Sequence, residues 1–202
     1  TAKVALSVAE ARSLGVPVLP PNINASEWDF VIEDSPEGPA IRFGLGAIKN
    51  VGHGAVDIIL NARAQGGPFR NLSDFLHRVD LRKVGKRALE CLIKVGAMDE
   101  FGSRQALLEN LDRLVALSAE HQRAAQAGQL SLFGVSTLNS DAWQEIHLPN
   151  LPTDRRQMLI WERELIGLYL SEHPLQPYQA DLLRIITHTS AQLEEATHEE
   201  KV

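Results

Sequence analysis

The sequence predicts a mainly α-helical fold with a short β-hairpin near its N-terminus. Apolar residues recur at helical spacing along most of the chain after Gly44, and glycines and prolines interrupt these runs at short intervals. One stretch, at Trp28, Phe30 and Ile32, instead alternates apolar and polar residues as a strand does. The 202 residues suffice for a real core, and a formal net charge of −6 excludes a uniformly basic nucleic-acid coat.

The first 43 residues combine one helix with extended chain. Apolar spacing over residues 4–14 predicts a short helix that Gly15 ends. Three prolines at 17, 20 and 21 then favour an extended path, because proline is excluded from helix interiors. The sequence DSPEGP at 34–39 is typical of a turn, so we expect residues 29–33 and 40–43 to pair as an antiparallel hairpin.

The rest of the chain is predicted to be helical, with one irregular stretch. Short helices separated by turns follow residue 44, starting with LGAIKN, and the longest candidate covers residues 103–127. The sequence predicts only a poorly formed helix around residues 79–83. Residues 128–153 have no periodicity and predict a linker, and residues 154–167 predict an amphipathic helix that Pro174 and Pro177 cannot continue.

A repeat of a turn followed by a helix is the clearest internal pattern. The segments VGHGAVDIIL at 51–60 and VGKRALECLI at 84–93 match at their valine, first glycine and alanine. Glycines allow a positive φ and a close approach of the backbone to a ligand, and the N-terminus of the next helix presents amides without intrahelical acceptors. Phosphate oxygens suit such a site. The alternative is a tight corner between helices that binds nothing.

Positive charge is concentrated around this repeat. Residues 41–105 contain 11 Lys plus Arg and 6 Asp plus Glu, whereas the remainder contains 9 and 20. We therefore favour a site for the DNA backbone, in which binding would not depend on base sequence. Its candidate residues are Lys49, Gly52, His53, Gly54, Lys83, Gly85, Lys86 and Arg87.

Other kinds of site have little support in the sequence. Glu162 and Glu164 stand two residues apart on a predicted helix, so they point in different directions and are expected on a solvated face. The seven histidines have no metal-ligand spacing, and no motif singles out a nucleophile. We therefore predict no catalytic residue and no metal site. The single Cys91 and the absence of an apolar run of about 20 residues predict a cytoplasmic location without a membrane segment.

Several of these segments resemble one family. IRFGLGAIKNVGHGAV, GGPFRNLSDF and LRKVGKRALECLIKVGAMDEF resemble the tandem helix-hairpin-helix domain of the bacterial replicative DNA polymerase III α subunits. GVPVLPPNINASEWDF resembles the stretch that joins the fingers of these polymerases to that domain, and ERELIGLYLSEHPLQPY resembles the segment leading to their OB-fold. The second turn departs from the motif, with Lys86 and Arg87 where its second glycine is expected.

A pentapeptide after the longest helix is a separate candidate site. Gln129, Leu130, Ser131, Leu132 and Phe133 lie in the stretch without periodicity, where Leu132 and Phe133 could simply pack on the domain itself. QLSLF also resembles the peptide that binds the bacterial sliding clamp, which these polymerase subunits carry at this place. The resemblance implies that Gln129 hydrogen-bonds to the clamp while Leu132 and Phe133 fill an apolar pocket.

The resemblance implies four parts of a longer polymerase. They are the end of a fingers-like region with its connecting hairpin at 1–43, the tandem helix-hairpin-helix DNA-binding domain at 44–127, a linker with the clamp-binding peptide at 128–153, and a helix leading to a following domain at 154–202. Because the chain begins at Thr1 and ends in a polar run, we expect it to be a piece of a longer protein.

The implied function is retention on DNA rather than catalysis. We expect no catalytic activity from this chain, whereas the longer protein would be a DNA-directed DNA polymerase that uses Mg²⁺. A monovalent cation held by hairpin carbonyls is also implied. The expected partners are duplex DNA, the sliding clamp (β subunit) and, through the longer protein, other polymerase III holoenzyme subunits. The alternatives are a helix-hairpin-helix module of a DNA repair nuclease or ligase and a purely structural helical linker.

Overall fold

A computed structural model describes residues 2–36, 38–126, 146–172 and 174–178. It confirms the mainly helical fold with a small N-terminal sheet, and the chain divides into two compact units, Thr1–Leu170 and Ser171–Val202. The helices within the described ranges are α1 Ala2–Ser13, α2 His53–Gly66, α3 Leu72–Arg78, α4 Leu81–Val84, α5 Lys86–Lys94, α6 Arg104–Glu109, α7 Leu111–Gln126 and α8 Arg155–Leu165. None of them combines the length and apolar character needed to span a bilayer.

The sheet contains the predicted hairpin and one further strand. Strands β2, Val31–Ser35, and β3, Gly38–Arg42, pair antiparallel with Ile32 opposite Ile41. Strand β1, Val18–Leu19, pairs parallel with β3 and makes the order β1-β3-β2. The extended path expected from the prolines thus contains a strand of two residues, too short to show any alternation in the sequence.

The core of the first unit lies among the helices that follow residue 44. Matched positions of the sequence repeat are buried in both copies, since Val51 and Val84 are 6% and 5% exposed and Ile59 and Leu92 are fully buried. The sequence repeat therefore reflects the same packing in both copies, independent of any ligand. The largest fully buried side chains include Phe43, Leu45, Ile59, Phe75, Leu76, Leu81, Leu89, Leu92 and Leu107.

Two helix predictions differ from the structure in detail, and a third, for residues 79–83, agrees with it. The single helix expected over 103–127 is broken at Asn110, where the Ala106 carbonyl accepts from the backbone amide of Asn110 at 3.2 Å and from its side-chain amide at 2.9 Å. The helix expected at LGAIKN is only a 3₁₀ turn, Leu45–Ala47. The poorly formed helix around residues 79–83 is the single turn α4, capped by Asp80.

The second part of the predicted linker is held against the helices. The amide of Ile146 donates to Ser73 Oγ at 3.3 Å, and Ser103 Oγ donates to the Leu151 carbonyl. The amide of Gln105 donates to Thr153 Oγ1 at 3.1 Å. Residues 146–153 therefore return the chain along α3 and α6 to the start of α8.

The expectation of a solvated face is wrong for Glu162, which is 1% exposed. Its Oε1 accepts from the Arg104 guanidinium at 3.4 Å, and its Oε2 accepts from the Leu170 amide at 2.9 Å. Arg104 also pairs with Asp99 at 3.0 Å. Periodicity placed this carboxylate on the polar face of α8, but a partner more than fifty residues away in sequence allows it to be buried.

The second unit is described only over a short stretch. It contains a 3₁₀ turn, Gln176–Tyr178, with the Tyr178 amide donating to the Leu175 carbonyl at 2.9 Å. Pro174 and Pro177 are consistent with the absence of a longer helix in this described stretch.

We predict that Ser118→Ala lowers the melting temperature of the chain by roughly 3–10 °C. Ser118 is fully buried in α7, where its Oγ donates to the Val79 carbonyl at 2.8 Å and accepts from the Leu81 amide at 3.1 Å. Loss of the hydroxyl leaves the Val79 carbonyl and the Leu81 amide without this hydrogen-bond partner, which lowers the free energy of unfolding by about 1–3 kcal/mol. Ser7→Ala on exposed α1 is the control in the same thermal scan. Equal melting temperatures for the two variants would contradict this account.

Candidate nucleic-acid interface

The first turn of the repeat presents backbone amides to solvent. It follows the 3₁₀ turn and leads into α2, with Val51 buried and Gly52, His53 and Gly54 exposed. Gly52 caps α2 in an extended conformation, with φ −86° and ψ 159°. The amides of His53 and Gly54 lie in the first turn of a helix of 14 residues, where no preceding helical carbonyl can accept them.

The second turn has a different backbone conformation. Gly85 caps α5 with φ +87°, in the region that favours glycine, whereas the corresponding Gly52 has a negative φ. In the first turn the positive φ falls on Asn50, at 63°. The two copies therefore share their buried positions but not the path of the turn.

The expectation that the first turn's glycines supply a positive φ is wrong. Gly52 has a negative φ, and Gly54 lies in the first turn of α2. A Cβ placed on either residue would meet no atom within 4 Å. Neither backbone conformation nor internal packing therefore requires glycine at these two positions, and both leave the surface open to a group from outside.

The four candidate basic side chains lie on the surface, three of them beside carboxylates. Lys83 Nζ is 3.9 Å from Asp80, and Lys86 Nζ is 2.6 Å from Asp112. Arg87 is 3.2 Å from Glu90, and Lys49 is exposed. The three paired cations are 59–68% exposed and remain accessible to phosphate, but only Lys86 has a carboxylate partner that is as exposed as itself.

The acidic partners of the second turn remain ionised. A hydrogen bond from Arg82 lowers the pKa of Asp80, and one from Lys94 lowers the pKa of Glu90. These carboxylates therefore offset part of the positive charge of Lys83 and Arg87. The first turn has a similar feature, because His53 Nδ1 lies 2.6 Å from the Asp57 carboxylate.

Arg87 lies on the face of α5 that meets the first turn. The Asn50 side-chain amide donates to Cys91 Sγ at 3.8 Å, and Arg87 precedes Cys91 by one helical turn. Burial raises the pKa of the Cys91 thiol, while the Asn50 hydrogen bond and the Arg87 charge act in the opposite direction. Lys49 fixes the turn on another side, since its amide donates to the Leu165 carbonyl at 3.0 Å.

Trp28 belongs to this site and was not predicted from the sequence. Its carbonyl accepts from the Gly46 amide at 2.9 Å, and its ring lies against His53 with centroids 4.4 Å apart. A Cβ on Gly46 would lie 2.6 Å from the Trp28 ring, so this glycine is required for packing. Gly44 and Gly46 in FGLGAIK indicated that another part of the chain approaches the backbone closely here, but the sequence did not show that Trp28 does so.

Three other predictions concern a metal site, a monovalent cation and the clamp-binding peptide. The described residues contain no group of three or more His, Cys, Asp or Glu that could hold a metal ion. For a monovalent cation, the Gly52 carbonyl already accepts amide hydrogens from Ala55 and Val56 at 3.1 and 3.2 Å, so it does not fit as a ligand. The predicted clamp-binding residues, Gln129, Leu130, Ser131, Leu132 and Phe133, lie outside the described residues.

Comparison with known proteins supports the resemblance. A family model described as a helix-hairpin-helix motif matches residues 15–108. The chain is 41% identical over 201 residues to the DNA polymerase III subunit alpha of Thermus aquaticus, covering 98% of the chain and 15% of that relative. It is 41% identical over 202 residues to the Vibrio cholerae protein of the same name (97% of the chain, 16% of that relative) and 36% identical over 187 residues to the Escherichia coli K12 protein (92% and 16%). The chain thus spans only 15–16% of the length of these relatives.

We predict that the glycines of the two turns respond differently to alanine. Gly54→Ala, in the first turn of α2, leaves the melting temperature unchanged within about 2 °C or raises it, because the added Cβ is unobstructed and alanine favours helix. Gly52→Ala costs less than about 1 kcal/mol, because its Cβ is also unobstructed but alanine is a poorer N-cap than glycine. Gly85→Ala costs about 1–2 kcal/mol, because its φ is +87°. Thermal unfolding by circular dichroism measures the difference. A larger loss at Gly52 than at Gly85 would show that the two turns are described wrongly.

Proposed function

The chain is homologous to a segment of the DNA polymerase III α subunits, and we propose that it is the part of such a polymerase that holds the backbone of duplex DNA. The observation that carries the proposal is the first turn, where helix-start amides are exposed beside two glycines that have open space in front of them. Phosphate oxygens accept hydrogen bonds from such amides and are favoured by the positive end of the helix dipole.

Glycine gives this turn the clearance that a phosphate needs. A DNA strand is a bulky ligand, and a side chain at Gly52 or Gly54 would keep its phosphate from reaching the amides behind. Because the protein itself does not need glycine at either position, the clearance is best explained by a ligand. The second turn lacks this clearance at Lys86 and Arg87, so we propose that it acts mainly through its side-chain charges.

Basic side chains around the turns would add affinity without base recognition. Lys49 is exposed beside the first turn, and Arg87 lies on the helix face that contacts it. Phosphate can replace Glu90 as the partner of Arg87, since exposed pairs of this kind contribute at most about 1 kcal/mol. Contacts confined to phosphate position a protein on DNA but carry no direct sequence information.

We propose that the chain contributes retention and not nucleotide transfer. Polymerase chemistry uses acidic residues that hold two metal ions in line with the primer end. Glu162, the most buried carboxylate of α8, is occupied by Arg104 and the Leu170 amide. The reaction of the longer protein would therefore depend on residues outside this chain.

We also propose that residues 129–133 recruit the sliding clamp. QLSLF begins three residues after α7 ends at Gln126, and the chain is bound to the helices again from Ile146. Both ends of the intervening segment are therefore attached to the body that holds DNA. A clamp bound to this segment would encircle the same duplex, so each contact would raise the effective concentration for the other.

The relatives favour this function over a repair enzyme. A helix-hairpin-helix module shared with a nuclease or ligase would be expected to match over the helical repeat alone. The similarity to the polymerase subunits instead covers 92–98% of the chain, including the N-terminal sheet and α8. If the chain is instead a purely structural helical linker, it has no affinity for DNA, and the DNA-binding experiment below decides between the two.

We predict that the chain binds duplex DNA of any sequence with a Kd of about 10⁻⁴ to 10⁻⁶ M, and that the affinity falls as salt is raised. The double variant Gly52→Val with Gly54→Val loses most of this binding and keeps its helices, because the new side chains project into open space. Ala64→Val, at an exposed position farther along α2, is the control. Fluorescence anisotropy with two unrelated duplexes measures the affinity. Salt-independent binding, or unchanged binding by the double variant, contradicts the proposal.

We predict that Leu132→Ala with Phe133→Ala abolishes binding to a bacterial sliding clamp and leaves the melting temperature unchanged. Burial of the two side chains in a clamp pocket contributes roughly 1.5–3 kcal/mol each, less the cost of ordering the segment. Leu6→Ala on exposed α1 removes a comparable apolar side chain and is the control. If the double variant instead keeps its clamp affinity and melts several degrees lower, residues 132 and 133 pack on the domain and recruitment is wrong.

A further inference from the structure

The His53 imidazole is held in a defined position at the first turn. Its Nδ1–H donates to Asp57 Oδ2, one helical turn later on α2, at 2.6 Å. The Trp28 ring lies against it, with ring centroids 4.4 Å apart and planes tilted by 41°. The His53 side chain is nevertheless 63% exposed, so the rest of the ring is open to a ligand.

Trp28 is itself fixed by the turn that precedes His53. Its carbonyl accepts from the Gly46 amide, and Gly46 leaves just enough room for the indole ring. The neighbouring Glu27 carbonyl accepts from the Leu45 amide at 2.9 Å, and the Glu27 side chain pairs with Arg63 of α2. The backbone bonds at Glu27 and Trp28 therefore hold the indole beside the segment that leads to His53.

The Asp57 contact determines which nitrogen of His53 carries the proton. A carboxylate only accepts hydrogen bonds, so Nδ1 must hold a hydrogen. In the neutral ring Nε2 then has only a lone pair, which cannot bond to a phosphate oxygen because both are acceptors. In the imidazolium form Nε2 also carries a hydrogen and donates to phosphate.

We propose that His53 is a phosphate-binding residue that acts only in its protonated form, and that Trp28 and Asp57 are its positioning residues. The proposal rests on the proposed DNA-binding function of the first turn. Binding of a duplex then takes up one proton at His53 Nε2, and no bond other than this N–H changes. The affinity of this chain for DNA should increase as the pH falls through the range in which imidazoles titrate.

The charges around His53 support this coupling. Asp57 on α2 accepts the Nδ1 hydrogen at 2.6 Å, and an arriving phosphate adds a second negative charge beside the ring. From the segment before the turn, Trp28 presents an uncharged ring, Glu27 is occupied by Arg63, and Asp29 is exposed. The cations on the neighbouring elements are Lys49, which is exposed before the turn, and Arg87, on the face of α5 that meets the first turn.

The test is the Kd for one duplex at pH 8 and pH 6, at constant ionic strength, for the whole chain and its variants. We expect the Kd of the unaltered chain to be roughly threefold to tenfold lower at pH 6, and that of His53→Gln to change by less than about twofold. His147→Gln, at another exposed histidine, is the control and should keep the full effect. Asp57→Asn should lower the ratio of the Kd at pH 8 to the Kd at pH 6, and this ratio is the readout because the loss of a carboxylate also changes the affinity at both pH values.

Variants of Trp28 test its role as a positioning residue. Trp28→Phe keeps an aromatic ring against His53 and should keep the pH effect, whereas Trp28→Leu should weaken binding more at pH 6 than at pH 8. A purely structural role would weaken binding equally at both pH values. Should Trp28→Leu fail to fold, Asp57→Asn tests the same positioning on the exposed surface of α2.

The outcomes separate this proposal from the one on which it rests. Salt-dependent binding that is equal at both pH values, or a full pH effect in His53→Gln, overturns the role of His53 and leaves the DNA-binding function intact. The absence of salt-dependent binding at either pH overturns both. A pH effect that disappears in His147→Gln assigns the proton to another residue and also contradicts the proposal.

Discussion

The anchoring of the first turn by residues far apart in the sequence is the constraint on which the proposed DNA-binding function depends. Val51 is buried in the core, and the backbone of Lys49 is bonded to the end of α8. Asn50 is bonded to α5, and Trp28 packs against Gly46 from the N-terminal segment. A turn held in this way keeps its amides pointing outward before any ligand arrives, so little ordering cost remains to be met on binding.

Contacts between residues far apart in the sequence also join α3, α6 and α8 to one another. Residues 146–153 lie along α3 and α6, and the buried pair of Arg104 and Glu162 joins α6 to α8. The end of α8 then supports Lys49. A segment predicted as a linker and a helix predicted to lead elsewhere are thus structural supports of the proposed DNA site.

Much of the fold could be predicted from the sequence, because helical spacing, prolines and turn residues act locally. Strands β2 and β3 and the start of α8 lie within two residues of their predicted places. Strand β1, the break at Asn110 and the burial of Glu162 could not be predicted, because each depends on a partner or a side-chain bond that periodicity does not encode.

The residues proposed for the DNA site were chosen from the sequence, but the structural reasons given for them were partly wrong. Its glycines and cations were visible as a repeat in a basic stretch. The positive φ expected of the first turn's glycines falls instead on Asn50, and three of the four predicted cations already have carboxylate partners. Trp28 and Asp57 were missed, since their importance arises only when the folded chain brings them to His53.

The central claim is that DNA phosphate is bound by the backbone of the first turn, and amide chemical shifts test it most directly. Titration of the ¹⁵N-labelled chain with duplex DNA should shift the amides of His53 and Gly54 most strongly, with smaller changes at Lys86 and Arg87 and none in α1. Large shifts elsewhere on the surface, with the amides of His53 and Gly54 unchanged, would contradict the account.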